Sequence, residues 1–228
     1  MTIGKPHVHY AATDSTNARA RALAAAGAPH GTLVTAGAQT AGRGRQGRAW
    51  TAAPGDALLM SLLVRRVDPL LPLAAAVGVC ESLAPVDALI KWPNDVWVGT
   101  RRKVAGILIE GRPQEGWAVI GIGLNVLTAP GELGDAATSL AAASIEGATV
   151  ADALAALLAA LERWIDAPPD EILAAWRARD ALRGSPVTWS GGAGSGTAAG
   201  ITDTGALLVE TDAGPVELDA GEVHLGSY

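Results

Sequence analysis

Apolar and polar positions alternate along the chain in short runs of differing period, and the periods predict both strands and helices. Residues 57–64, Ala-Leu-Leu-Met-Ser-Leu-Leu-Val, form a near-continuous apolar run of the length expected for a buried strand. Apolar, β-branched runs at 32–36, 86–91, 95–98, 104–110 and 117–124 predict further strands, with Gly99-Thr100-Arg101-Arg102 as a hairpin turn. Helical signals fall between them. Ser15-Thr16-Asn17 predicts a helix start, running to about Ala26 with Gly27 closing it. Residues 72–84 read as a buried helix opening on a first-turn proline, Pro72. Two further helices fit 150–166, capped by Thr149, and 169–182, entered through Pro168-Pro169, while 127–148 is rich in Gly, Ala, Thr and Pro and reads as loop.

The pattern changes at Gly184. Short β-like runs follow at 186–190, 197–202, 206–211, 215–219 and 222–225, separated by Gly, Asp and Ser. Turn signals at this spacing predict a small barrel of about 45 residues packed on the rest, and the Gly191–Gly200 cluster reads as turn material. The boundary therefore falls near residue 183, giving a main domain at 1–183 and a β module at 184–228. Helices segregated from strands, with a terminal β module, predict an α+β fold.

Composition narrows the chemistry. A chain of 228 residues, 49% hydrophobic and 18% charged, is an ordinary globular protein. Its net charge of −6 argues against wholesale nucleic-acid binding. The single Cys80 excludes a disulfide framework and predicts a reducing cytoplasm. No signal-peptide core precedes Tyr10, and no apolar run has the length of a membrane span.

Against this acidic background stands Gly42-Arg-Gly-Arg-Gln-Gly-Arg-Ala-Trp50. Glycines let a ligand approach the backbone, and Arg43, Arg45 and Arg48 supply permanently charged forks for phosphate or carboxylate. The spacing of Gly42, Gly44 and Gly47 also fits a dinucleotide fingerprint. Context speaks against that reading: residues 50–56 form a turn where a helix is required, and Arg65 and Arg66 lie where an acid is expected. A solvated basic loop without a ligand is the bland alternative.

Two more constellations bear on the choice. Lys91-Trp-Pro-Asn-Asp95 ends an apolar strand in charged and polar groups, and a hairpin would return Lys103 beside it. Taken alone, Asn94-Asp95 is better read as a turn with solvated lysines. Together with the arginine loop it becomes one wall of an anion site. In Gly121-Ile-Gly-Leu-Asn125 a strand loses side chains at alternate positions, leaving room for a ligand that Asn125 would reach; glycines in strands also mark bulges. The His7-x-His9 pair lacks a Cys or carboxylate at ligand spacing, so no metal site is assigned to it. Asp68, Glu81 and Glu110 read as structural or surface groups.

In order and spacing, the motifs at 42–50, 91–95, 102–110 and 121–125 resemble those of the biotin protein ligases, and Ser15-Thr-Asn17 and Thr138-Ser-Leu140 fit as well. The resemblance covers essentially the whole chain. It implies a reaction in two steps: biotin's carboxylate is joined to the α-phosphate of ATP with Mg²⁺ shielding the phosphates, then biotin passes to a lysine of a biotin carboxyl carrier protein. The residue types suit two anions forced together, since arginine forks and lysines supply the charge. By resemblance Arg45 and Lys103 lie nearest the carboxylate–phosphate junction, with Lys91 beside them, and Asp95 orients the incoming amine. Ser15, Thr16 and Gln39, with the backbone near Gly42 and Arg43, resemble the set that binds biotin's ureido group, and Asn17 is counted with the biotin-binding residues; Trp50, Gly106 and Ile107 would line its ring and chain, with Lys103 among the biotin contacts. Arg48, Asn94 and Asn125 would face the nucleotide. Gln46 stands where many relatives carry a further arginine.

The same resemblance implies a mixed, largely antiparallel main sheet related to class II synthetases, an SH3-like C-terminal barrel and a 127–137 loop that orders over the adenylate. Only about fourteen residues precede Ser15, so the short type without a DNA-binding domain is expected. A monomer or weak homodimer is expected too, with a carrier domain of an acyl-CoA carboxylase as partner. Two rivals remain: a lipoate or octanoate ligase of the same superfamily, and a non-catalytic biotin sensor.

Overall fold

The structure is a computed structural model and describes residues 3–129, 132–143, 147–219, 221 and 223–225. Within these residues, four helices and two sheets build a mixed α+β fold. The first sheet contains β1 (His7–Tyr10), β2 (Leu33–Ala36), β3 (Ala57–Val64), β4 (Ala88–Lys91), β5 (Asp95–Val98), β6 (Arg102–Arg112) and β7 (Trp117–Asn125), in the order β1-β2-β3-β7-β6-β5-β4. Only β1 and β2 pair parallel; the other pairs are antiparallel.

The helices are α1 (Thr16–Ala25), α2 (Leu71–Ser82), α3 (Val150–Ile165) and α4 (Pro169–Arg177). β3 reads as continuously apolar because the sheet is covered on both faces. Leu58, Met60, Leu62 and Val64 join Ile120, Ile122 and Leu124 of β7 in the large core shared with α2, α3 and α4. Leu63 and Val119 point the other way, into a small core with Ala20 and Ala24 of α1. α1 covers only part of that second face. The rest is left open, and there the functional cleft lies.

α2 is apolar around most of its circumference because it is sandwiched: its residues 73–80 are all buried. α3 is amphipathic and buries Leu157, Leu161, Trp164 and Ile165, and Thr149 caps it by accepting from the Asp152 N–H at 3.1 Å.

Three boundaries differ from expectation. β1 is a strand that periodicity does not announce; at the sheet edge its His7 and His9 are exposed and both imidazoles reach the Thr35 hydroxyl, at 2.8 and 2.9 Å. α4 stops at Arg177, short of the expected 182, because residues 179–181 leave the helix and exchange backbone bonds with Ile90 at the edge of β4. The Gly191–Gly200 cluster is only partly turn: from Gly194 it is strand.

The second sheet contains β8 (Pro186–Trp189), β9 (Gly194–Ile201), β10 (Leu207–Thr211), β11 (Gly214–Leu218) and β12 (Val223–Leu225), all antiparallel in the order β11-β10-β9-β8-β12. Gly194 faces Trp189 so closely that a Cβ would lie 2.2 Å from the indole. The expected closed barrel is not formed: among the described residues β11 and β12 do not pair with each other. The second sheet shares the main core through Val187, Ala198, Leu207 and Val209. Among the described residues no helix is long and apolar enough to cross a membrane.

Candidate active site

The open part of the sheet face, the start of α1 and the arginine loop enclose a cleft of about 860 Å³, its mouth included. Its polar end is the first turn of α1. Ser15 stands at the N-cap in extended conformation, yet its hydroxyl makes no capping bond. Instead Gln39 serves the helix start: its Oε1 accepts from the Thr16 N–H at 2.7 Å. Ser15, Thr16, Asn17 and Gln39 all line the cleft.

The opposite, cationic end comes from β4, β5 and β6. Ile90 and Val96 bury themselves against the helices, so Lys91 and Asp95 fall on the cleft face by alternation. Lys91 and Asp95 are direct cross-strand partners. Lys103 reaches the same face by another route. The register of β5 with β6 shifts between Val96 and Trp97, which leaves Val104 as an extra residue opposite that step. Such a bulge turns the side chain before it to the other face, and the Lys103 ammonium meets the Asp95 carboxylate at 2.7 Å. Asn94 lines the wall between them, fixed by its Nδ2 donating to the Ile107 carbonyl at 3.0 Å while the Ile107 N–H donates to Asn94.

The arginine loop forms the roof. It folds back on itself through Gly44 N–H to the Arg48 carbonyl at 2.7 Å and Trp50 N–H to the Gly42 carbonyl at 3.0 Å. Gly42 is obligatory here, since a Cβ would lie 2.3 Å from the Trp50 carbonyl oxygen. Gln46 takes the left-handed conformation at φ 54°. Arg43, Arg45 and Arg48 line the cleft and also a wider hollow on the loop's far side, bounded by Gly205 and Asp219 next to the second sheet. Arg45 donates to the Gly221 carbonyl at 3.5 Å, so the second sheet's last loop touches the roof.

Trp50 lies flat on the floor. A Cβ on Gly123 would fall 2.4 Å from its ring and one on Gly106 2.9 Å, and the Lys103 ammonium stands 5.5 Å from the ring centroid. The indole Nε1 is buried and has no hydrogen-bond partner among the described residues. The glycines of β7 are thus not simply a gap for ligand: Trp50 covers Gly123, and the Asn17 amide covers Gly121.

The structure brings the expected residues to one cleft with two exceptions. Gly42 shapes the roof from behind, lining only the far hollow. Asn125 is buried off the cleft, its Nδ2 donating to the Thr138 carbonyl at 3.0 Å. The 127–148 segment forms no helix or strand in its described part; residues 134–138 clip onto β6 through Lys103 N–H to the Ala136 carbonyl and Thr138 N–H to the Lys103 carbonyl. Residues 130, 131 and 144–146 of that segment lie outside the described residues. Sequence reasoning passed over Ser61, which is wholly buried behind Thr16 and Asn17. Its only signal is being the lone polar residue in the 57–64 run.

Comparison with known proteins agrees with this geometry. Residues 10–126 match the biotin/lipoate A/B protein ligase family, and 187–226 match the biotin protein ligase C-terminal domain. The chain is 41% identical over 194 residues to a biotin–[acetyl-CoA-carboxylase] ligase of Mycobacterium tuberculosis, covering 78% of this chain and 71% of the relative. It is 36% identical to the enzyme of that name from Paracoccus denitrificans, over 87% of this chain and 91% of the other. The solved biotin protein ligase of Aquifex aeolicus in complex with biotin and ATP superposes with a TM-score of 0.82 at 28% identity, covering 97% of this chain and all of that one. With matching models for both parts and relatives aligned over most of their length, the chain belongs to the biotin protein ligases.

Proposed function

We propose that the chain activates biotin with ATP and transfers it to a carrier lysine, and that the cleft described above performs both steps. One observation carries the reading: a hydrogen-bonding pocket at α1, a flat indole floor and a cationic end with one carboxylate meet in a single cleft. Biotin has the complementary parts in the same order, a ureido head, an apolar ring and chain, and a carboxylate.

In the first step a carboxylate oxygen of biotin attacks the α-phosphorus of ATP. The bond to the β-phosphate oxygen breaks and pyrophosphate leaves. Arg43, Arg45, Arg48, Lys91 and Lys103 lower the repulsion between the two anions, fixed before the reaction begins. Mg²⁺ comes with ATP as part of the substrate. The nearest cleft carboxylate, Asp95, is already engaged by Lys103, so the phosphates themselves carry most of the ion's coordination.

The Lys103–Asp95 pair gives the second step its logic. When the adenylate draws Lys103 toward its new acyl–phosphate anhydride, Asp95 is released to accept a proton from the carrier lysine. That help is needed, because a free lysine is only ~0.04% neutral at pH 7. The amine then attacks the acyl carbon and AMP departs. Asp95→Asn is expected to keep biotin-dependent ATP–pyrophosphate exchange but to slow transfer from preformed adenylate; full-rate transfer would remove Asp95 from this role.

Within the same reading, the domain boundary lies near residue 183 and the second sheet is a module of SH3-like type that helps close over ATP or meets the carrier. The partner is a carrier domain of an acyl-CoA carboxylase, and the working unit is a cytoplasmic monomer or weak homodimer. The decisive experiment is avidin detection of biotin on an apo carrier domain, with Lys103→Ala as control. Removing one preorganised donor is expected to lower adenylation by ~10²–10³-fold. Transfer of lipoate in preference to biotin, or binding without exchange, would overturn the reading.

A further inference from the structure

Behind the polar end of the cleft runs a chain of hydrogen bonds whose direction can be settled atom by atom. It begins at Glu110, paired with Arg21. The Asn17 Nδ2 donates to Glu110 Oε2 at 2.9 Å and to the Leu108 carbonyl at 3.3 Å. Both partners are pure acceptors, so the amide is oriented without ambiguity and its Oδ1 faces Ser61. That oxygen can only accept, and the Ser61 hydroxyl lies 2.6 Å from it. Ser61 therefore spends its single proton on Asn17. Its oxygen also lies 2.8 Å from the Thr16 hydroxyl, and it can take part in that contact only as acceptor. The Thr16 proton thus points back to Ser61. The rival acceptor, Gln39 Oε1, is farther away at 3.1 Å and already holds the Thr16 N–H.

Thr16 lines the cleft. With its proton committed behind it, its hydroxyl is left with lone pairs alone to offer a ligand. We propose that Ser61 and Glu110, neither of which lines this cleft, are positioning residues that hold Thr16 as an obligate acceptor, so that the polar end selects a ligand N–H. The proposal rests on the biotin reading above and sharpens it. A ureido N–H satisfies the acceptor, whereas the ring of lipoate and the tail of octanoate carry no N–H. The supporting structure is rigid, since Asn17 and Ser61 are buried and Gly121 is cut back so that the Asn17 amide lies against its Cα.

The test compares biotin with the two cyclic carbamate analogues in which one ureido N–H is replaced by oxygen. These keep the size and turn a donor into an acceptor. Biotin-dependent ATP–pyrophosphate exchange is measured for the wild type, Ser61→Ala and Glu110→Ala. The wild type is expected to prefer biotin over one of the analogues by about a hundredfold or more, because a buried acceptor would otherwise face another acceptor. In Ser61→Ala the Thr16 proton keeps only the longer 3.1 Å contact to Gln39 Oε1, which already holds the Thr16 N–H, and a ligand acceptor in the cleft can compete for it. The KM for biotin should rise about three- to tenfold, the KM for ATP should hold within about twofold, and the preference over the analogue should fall at least about tenfold. Glu110→Ala, changed at the partly exposed end of the chain, leaves Asn17 only the 3.3 Å bond to the Leu108 carbonyl; it should shift the same ratio in the same direction by a smaller factor, and it decides the question if Ser61→Ala does not fold. An active wild type whose preference is unmoved in the folded variants overturns the proposal alone. A wild type silent with biotin overturns the biotin reading beneath it. Loss of stability without a change in the ratio would reduce both residues to packing.

Discussion

Lys103 owes its place to one extra residue. In a regular strand it would share the face of Ala105, which is buried toward the helices; the bulge at Val104 moves it to the face of Gly106, where its ammonium would lie 3.2 Å from a Cβ added there. Glycine at 106 and 123 then lets the Trp50 indole lie directly on the sheet. Gly123→Ala tests that arrangement. Its new methyl would overlap the ring, which must tilt into the cleft. The expected result is a KM for biotin raised about tenfold or more, from the order of 1–3 kcal/mol that overpacking costs, with little change in the KM for ATP. Equal loss for both substrates would mean that the floor serves the whole cleft and not the biotin end.

At the scale of elements, most of the main sheet was legible because β3, β6 and β7 carry long apolar runs. What escaped notice was decided by neighbours. β1 has exposed histidines and becomes a strand only because β2 lies open beside it. The extent of α4 is set by the free edge of β4, which recruits residues 179–181 away from a helical pattern that continues in sequence. For the site, residue types and spacing pointed to the cleft walls, but the bulge at Val104, the Ser61 relay and the burial of Asn125 depend on register and on a side chain 44 residues away and a backbone carbonyl 13 residues away. The edge contact also carries a pH prediction. Asp180 lies in it, with one oxygen accepting from the Leu182 N–H at 2.9 Å and the other buried without a partner among the described residues. Burial pushes its carboxyl above the ordinary 3.8. A raised folded value means that the native state holds this proton more tightly than the unfolded chain does. The resulting contribution is full below pH 3.8 and is lost as pH rises from there through the folded value. The Tm of Asp180→Asn, measured from pH 3.5 to 7, should therefore gain on the wild type as pH rises and equal or exceed it at neutrality. A constant difference would show that ionisation of Asp180 does not matter.

For the whole molecule, the segment Lys91-Trp-Pro-Asn-Asp95 joins catalysis to assembly. Lys91 and Asp95 face the cleft, while Trp92 between them turns to the opposite side and is 2% exposed. Its Nε1 donates to the Gly205 carbonyl at 3.1 Å, and Gly205 itself rests on Leu73 and Leu70 at the start of α2. The Arg177 guanidinium adds bonds to the Ile201 carbonyl and Asp203. The second sheet is thus pinned to the residue behind the cationic wall, and its apolar side chains belong to the same core as β3 and β7. Two consequences follow for unfolding. Trp92→Phe removes the pyrrole part of the indole and leaves the Gly205 carbonyl without its donor, at a cost of about 1–3 kcal/mol. Trp92→Ala empties a large core site and should cost about 3–5 kcal/mol. Since the core is continuous, calorimetry should show one transition in the wild type and in Trp92→Phe, with the loss shared by both sheets. An early, separate melting of residues 186–225, followed by hydrogen exchange at β9 and β10, would instead show that the second sheet is held by little more than this one tryptophan. In that case the Arg45–Gly221 contact at the roof of the cleft would be a contact between two bodies free to part, and substrate binding rather than the fold would have to bring them together.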